Sequence, residues 1–176
     1  RLRNSISAMA VTDANLQWLL DVIVDSRPDV IINGPNISLD GNIGDLHLLS
    51  QARRNIEKIM SSIIGCEIKF ELNYRNRGAD RFMIVQKNSG NVIVPTLNSL
   101  STGQLALFNL FATIVRYADT NDINKSIRLE EITGIVLIDE IELHLHSIMQ
   151  KEILPKLLKL FPKIQFIITT HAPLFV

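Results

Sequence analysis

The chain has 176 residues, 47% of them hydrophobic, which is one domain's worth of sequence and enough to bury a sizeable core. Eighteen basic residues balance eighteen acidic ones, so no net field recruits nucleic acid or an anionic membrane, and any such contact has to be a local patch. The single cysteine, Cys66, excludes an intrachain disulfide and no Cys/His cluster has zinc spacing; with no secretory leader and no membrane-spanning apolar run, a reducing cytoplasm is the expected setting.

Residues 1–44 say least. Thr12 or Asp13 is expected to cap a helix through Leu16, Trp18, Leu19, Leu20, Val22, Ile23 and Val24, ending before Pro28. Its apolar face carries too few charges to stand alone, so it should pack on another element. Val30 to Gly44 reads as a short apolar strand followed by turn chemistry at Asn33-Gly34, Pro35, Asp40-Gly41 and Gly44. This stretch is not a phosphate-binding loop: no Gly-Lys dipeptide occurs in the chain, and such a loop needs the lysine to reach the β- and γ-phosphates.

Asp45 to Ile64 reads as a long helix with Leu46, Leu48, Leu49, Ile56, Ile59, Met60 and Ile63 on one side, and Gly65 is its expected stop. Cys66 to Tyr74 alternates strictly, with Ile68, Phe70 and Leu72 facing one way; Arg81 to Gln86 and Val92 to Val94 complete an antiparallel meander with one wet face. Arg75, Arg77 and Arg81 near its turn could touch phosphate backbones, but an ordinary solvated turn is the plainer reading.

Ser101 followed by Gln104 has capping-box spacing, and Leu105, Phe108, Leu110, Phe111, Ile114 and Val115 continue from it as one apolar helix face. A helix start with free N–H groups is an anion site, and Gly103 would let a phosphate approach the backbone closely. Asp119 to Thr133 is polar and reads as a mobile linker. Ile135 to Ile138 is then an unalternating apolar run, the pattern of a strand buried on both faces of a parallel sheet, and it ends in Asp139-Glu140. Acids at the carboxyl end of such a strand are placed for a metal or a phosphate rather than for a core. Ser147 to Phe161 has a second amphipathic helical pattern that includes Ile148, with Pro155 expected to kink or shorten it. Gln165 to Thr170 is another buried strand. The helical crossover makes it parallel to the first, which delivers His171 to the same edge as Asp139 and Glu140.

Leu100-Ser101-Thr102-Gly103-Gln104 differs at one position from the LSGGQ signature of ABC-type ATPases, and the Asp-Glu strand resembles their Walker B element. The order of signature, Asp-Glu strand, crossover helix, strand and histidine is also theirs. The words DEIELHLH and FPKIQFIITTHAP resemble the RecF, SMC and OLD-like branch, and within it the stand-alone phage-defence ATPases of Septu and retron systems. The likeness covers roughly residues 45–176. It implies an α/β, ABC-ATPase-like partial head: an unassigned segment over 1–44, a helix, meander and signature helix over 45–118, a linker over 119–133, and the Walker B strand, crossover and switch-histidine strand over 134–176.

Carried over by position, the resemblance implies ATP and Mg²⁺ as cofactors. Asp139 would hold Mg²⁺, Glu140 would act on the hydrolytic water, and His171 would contact the γ-phosphate. Ser101, Thr102, Gly103 and Gln104 would read the γ-phosphate of a second protomer in a homodimer closed through its ATP sites. Glu142 to His146 occupies the place of the D-loop at that interface. A nuclease partner and nucleic acid follow for the whole protein, with no membrane. The chief departure is the missing Walker A loop. The chain starts without Met and stops just after a loop, so it is read as a piece of a longer protein and expected to be inactive alone. Three readings compete: a non-catalytic ATP-gated scaffold, the ATPase part of an OLD-type nuclease, and a metal site at Glu142, His144 and His146.

Overall fold

A computed structural model describes residues 8–26, 29–33, 36–40, 43–73, 75–121 and 127–172. Its elements in chain order are α1 (Ala8–Asp25), β1 (Asp29–Asn33), β2 (Asn36–Asp40), α2 (Ile43–Ile64), β3 (Ile68–Leu72), β4 (Phe82–Gln86), β5 (Val92–Val94), α3 (Thr102–Asn121), β6 (Gly134–Ile138), α4 (Leu154–Leu158) and β7 (Ile164–Ile168). The fold is α/β, with the helix, meander and parallel pair expected from the sequence. Among the described residues the strands form an antiparallel hairpin β1-β2, an antiparallel sheet β3-β4-β5 and a parallel pair β6-β7.

The centre is helical. α3 packs on α2, and α1 lies against both. α1 starts earlier than Thr12, because Ala8, Met9 and Ala10 are strong helix formers that carry it back to Ala8. Its packing on α3 is partly polar. Asn15, 2% exposed, donates through Nδ2 to the Asn109 carbonyl (3.1 Å) and to Thr113 Oγ1 (3.0 Å), and its Oδ1 accepts from Arg116 Nε (3.0 Å). The buried Asn15 amide is thereby satisfied at both ends, as burial demands. Trp18 Nε1 donates to Asp119, whose carboxyl is held above its usual range by burial, with the Trp18 bond opposing that shift.

In β3 the expected alternation holds, with Ile68, Phe70 and Leu72 buried. β3 is an edge strand, and its outward backbone groups at Phe70 are met by α2. Glu57 Oε1 accepts the Phe70 N–H (3.1 Å), and Arg53 Nη2 donates to the Phe70 carbonyl (2.9 Å), while Arg53 and Glu57 pair one helical turn apart. Arg81 is not on a solvated tip: it is half-buried and lines a groove with Leu16, Leu20 and Phe82.

β2 was not expected, since Asn36 to Asp40 carries turn-forming residues; it pairs with β1 from Asp29↔Asp40 to Asn33↔Asn36. The turn residues Gly34, Pro35 and Gly41 lie outside the described residues. The linker expected over 119–133 is corrected at both ends. α3 runs to Asn121, and Leu129 and Ile132 around a short 3₁₀ turn are 1% and 5% exposed, because their apolar side chains complete the core beside α2 and α3. The helix expected over Ser147–Phe161 is helical over 147–158, with a π-helical turn at Met149–Ile153 inside it and Pro155 at the start of the five-residue α4.

β6 and β7 are parallel, in register from Gly134↔Ile164 to Ile138↔Ile168. The burial expected for both faces of β6 is not observed. Val136, Ile138, Ile164, Phe166 and Ile168 are half-buried toward the core, but Ile135, Leu137 and Ile167 are 66%, 74% and 49% exposed. A two-stranded sheet packed on α3 has one covered face, and no described element lies on the other. Phe111 of α3 stacks on Phe161 (centroids 5.7 Å), and Phe166 of β7 meets both rings at 6.4 Å.

Phe111, wholly buried, should cost about 3–5 kcal/mol when changed to Ala. Ile148, placed on the buried face by sequence pattern but 65% exposed, should change stability by less than about 0.5 kcal/mol as Ile148→Ala. Urea unfolding of the two variants separates packing from pattern.

Candidate functional site

The parallel register sets two strand ends side by side. Because Ile138 faces Ile168, the next residues, Asp139 and Thr169, leave the sheet as neighbours. Thr169 then makes four hydrogen bonds to the other strand end. Its N–H donates to the Ile138 carbonyl (2.9 Å), its carbonyl accepts the Ile141 N–H (3.2 Å), its Oγ1 accepts the Glu140 N–H (2.9 Å), and its hydroxyl donates to Asp139 Oδ1. Asp139 Oδ2 has no protein partner among the described residues.

From Glu140 to His146 the chain turns repeatedly, with Leu143 N–H on the Glu140 carbonyl (3.0 Å) and Leu145 N–H on the Glu142 carbonyl (2.9 Å). Glu140 and His144 have φ of 50° and 67°, a left-handed conformation that costs an L-residue energy and persists only where neighbours enforce it. Ile141 and Leu145 anchor the turn in the core, and the buried Gln150 donates through Nε2 to the Leu145 carbonyl (2.8 Å).

His171 does arrive at the same edge. Its Nε2 stands 3.8 Å from Glu140 Oε1, and both side chains are open to solvent. Its backbone N–H donates to Glu142 Oε1 at 2.5 Å. That bond, followed by one from the Thr170 hydroxyl, holds the Glu142 carboxyl below its usual range. Glu142 thus faces inward to the histidine loop. Among the described residues no group of three His, Cys, Asp or Glu is placed to hold a metal by itself, so Glu142, His144 and His146 form no such site.

The start of α3 carries the capping box the sequence spells. Gln104 Oε1 accepts the Ser101 N–H (3.0 Å), and Ser101 Oγ accepts the Gln104 N–H (3.2 Å), which leaves the Ser101 hydroxyl proton free to donate outward. Ser101 and Thr102 are exposed, Gln104 is half-buried and Gly103 is buried. The small size of Gly103 has a packing cause as well. A Cβ there would lie 2.7 Å from the His144 carbonyl oxygen and 2.8 Å from Met149 Sδ, so the glycine lets the helix start press against the turn after Glu140. Between them, Leu107 and Leu110 of α3 with Asp139, Glu140 and His144 from the other side line a cleft of about 220 Å³.

Sequence reasoning thus placed Asp139, Glu140 and His171 together and Ser101 to Gln104 on a helix start. It missed Thr169 and the inward role of Glu142. A threonine closing a β-strand has no signal of its own; only the parallel register reveals what it faces.

Gly103→Ala tests the packing. Helix propensity alone would favour Ala by at most about 1 kcal/mol, whereas pressing a methyl group on a backbone carbonyl costs about 1–3 kcal/mol. A net loss of stability is expected in chemical unfolding without nucleotide; a gain would mean that Gly103 is not a packing requirement.

The chain is 45% identical over 101 residues to the Retron Ec83 probable ATPase of Escherichia coli, covering 57% of this chain and 18% of that protein. It is 41% identical over 92 residues to the Retron Vc95 probable ATPase of Vibrio cholerae serotype O1 biovar El Tor (52% and 17%), and 63% identical over 41 residues to the Septu protein PtuA of Bacillus mycoides strain KBAB4 (23% and 6%). The chain therefore spans less than a fifth of the length of these three curated relatives. The model of the family described as AAA domain, putative AbiEii toxin, Type IV TA system matches residues 1–176, and the chain belongs to that family of ATPase domains.

Proposed function

We propose that this chain supplies the signature, Walker B and switch-histidine side of an ATPase that hydrolyses Mg-ATP between two protomers. The observation that carries the reading is the meeting of Asp139, Glu140 and His171 at one strand edge, beside the α3 start. The donor set suits magnesium: a hard carboxylate oxygen, Asp139 Oδ2, is free of protein partners, and Mg²⁺ is usually held by one or two carboxylates, waters and phosphates rather than by a protein cage. When bound, it supplies positive charge to the phosphate oxygens during transfer.

Each residue then has a distinct task. Asp139 stays ionised to hold the cation. Glu140 Oε1, open to solvent, accepts the proton of the attacking water, and His171 Nε2 at 3.8 Å reaches the same small volume to donate to a γ-phosphate oxygen. The Ser101 hydroxyl and the exposed N–H groups of the α3 start, with Thr102, Gly103 and Gln104 around them, present donors to a γ-phosphate held by a second protomer. A cleft of about 220 Å³ cannot enclose a nucleotide, since such sites run to about 300–1,000 Å³, which favours a site completed by a phosphate loop and a partner from outside these residues. The open apolar face of β6 and β7 is of the kind such a lobe covers. Likeness to retron and Septu proteins supports a role in anti-phage defence, with the ATP-driven closure acting on a nuclease or nucleic acid. Among the described residues no helix is long and apolar enough to cross a membrane.

In the intact protein, Glu140→Gln keeps a hydrogen-bonding carbonyl but removes the base, so ATP should close the dimer and remain unhydrolysed, with turnover down about 10²–10⁴-fold. Asp139→Asn should weaken Mg-ATP binding itself. Turnover measured beside ATP-dependent light scattering distinguishes the two; near-normal turnover by the Gln variant would deprive the reading of its mechanism, and a closed dimer with unaltered wild-type inactivity would favour a scaffold.

Ser101→Arg should abolish ATP-dependent dimerisation while leaving nucleotide binding to the protomer nearly unchanged. If Ser101 only caps α3, the same change should cost about 1 kcal/mol of stability and leave assembly alone.

A further inference from the structure

The catalytic groups proposed above, Asp139, Glu140 and His171, all lie beyond the last paired residues Ile138 and Ile168, where only the Thr169 backbone still ties the two ends together. Two side-chain contacts of opposite direction fix the groups on those ends. From β7, Thr169 reaches across to the acids, accepting the Glu140 N–H (2.9 Å) and donating to Asp139 Oδ1. From the turn after β6, Glu142 reaches back and accepts the His171 N–H (2.5 Å). We infer that Thr169 and Glu142 form a reciprocal clasp that positions the two carboxylates and the histidine relative to one another. The inference rests on the ATPase reading and names two positioning residues within it.

The two halves of the clasp do different things. The Thr169 hydroxyl occupies Asp139 Oδ1, which fixes the carboxylate rotamer and turns Oδ2 toward solvent as the cation ligand. Its acceptance of the Glu140 N–H stabilises the left-handed backbone at Glu140 (φ 50°), and that conformation aims the Glu140 side chain at His171 instead of along the strand. Glu142 contacts neither the cation ligand nor the base; it holds the histidine loop by its backbone. Loss of Thr169 should therefore disturb cation binding and turnover together, whereas loss of Glu142 should disturb turnover alone.

The test uses the intact protein, with ATP turnover measured over a magnesium titration. Thr169→Val keeps the β-branched shape and removes the hydroxyl; it should raise the Mg²⁺ concentration at half-maximal rate and lower the maximal rate, each by about 10–100-fold, the usual cost of removing a group that orients a metal ligand. Thr169→Ser restores the hydroxyl and should recover the midpoint. Glu142→Ala should lower the maximal rate with the Mg²⁺ midpoint unmoved. A purely structural role would lower the melting temperature of both variants without separating midpoint from rate. If Thr169→Val does not fold, Glu142→Ala carries the test, and a wild-type maximal rate for it overturns the clasp. Unchanged midpoint and rate in Thr169→Val, alongside a defective Asp139→Asn, would overturn the clasp and leave the ATPase reading standing. Normal turnover in both Asp139→Asn and Glu140→Gln would instead remove that reading, and the clasp with it.

Discussion

The parallel register of β6 and β7 is the constraint on which the site depends. Side chains alternate along a strand, so a slip of one residue would turn Phe166 out of the core and carry Thr169 away from Asp139. Five paired residues in a two-stranded sheet would hold that register weakly by themselves. It is held by Phe166, wedged against Phe111 and Phe161. Phe111 belongs to α3, and α3 also begins with the Ser101–Gln104 box and with Gly103 seated on the His144 carbonyl. One helix thus fixes the strand register by its middle and the following turn by its start.

That turn shows how strain is kept where it is useful. Left-handed backbone at Glu140 and His144 costs on the order of 1–3 kcal/mol each. The Glu140 N–H bond to Thr169, the Glu142–His171 bond and the Gln150–Leu145 bond oppose that cost. The burial of Ile141 and Leu145 on either side leaves the turn no relaxed alternative. The exposed residues of the turn are consequently presented in one geometry on a rigid base, which is what positioning of a phosphate or a water requires.

The parts legible in the sequence were those with local rules. Alternation exposed β3, capping-box spacing exposed the α3 start, and an apolar run ending in Asp-Glu exposed the edge of β6. What escaped depended on tertiary partners. Leu129 and Ile132 looked like islands in a polar linker because nothing local says that α2 and α3 leave room for them. Ile148 fitted a helical stripe, yet the π-helical turn at Met149–Ile153 that follows it breaks the α-helical period linking it to Leu154 and Leu157, and Ile148 is exposed while they are buried. β6 is written for burial on both faces, and its sequence is right about the chemistry of each face while only one is covered here. Gly103 has, besides its expected place on a helix start, a packing reason that no local pattern announces.

The electrostatics of the edge follow from this division. Asp139, Glu140 and Glu142 converge there, and beside them stand two exposed imidazoles, His171 and His144. A triphosphate brought to such an edge meets net repulsion unless positive charge accompanies it. On the proposed reading that charge is split between the cation on Asp139, a lysine from outside these residues and the helix start of a second protomer. None of them alone neutralises the γ-phosphate, so closure of two protomers and tight nucleotide binding become one event. Loss of that phosphate removes the shared ligand of both sides, and an acidic edge then repels what remains. On that reading, acids gathered on one edge with an exposed helix start beside them suit a switch that opens on hydrolysis rather than an enzyme that holds its product.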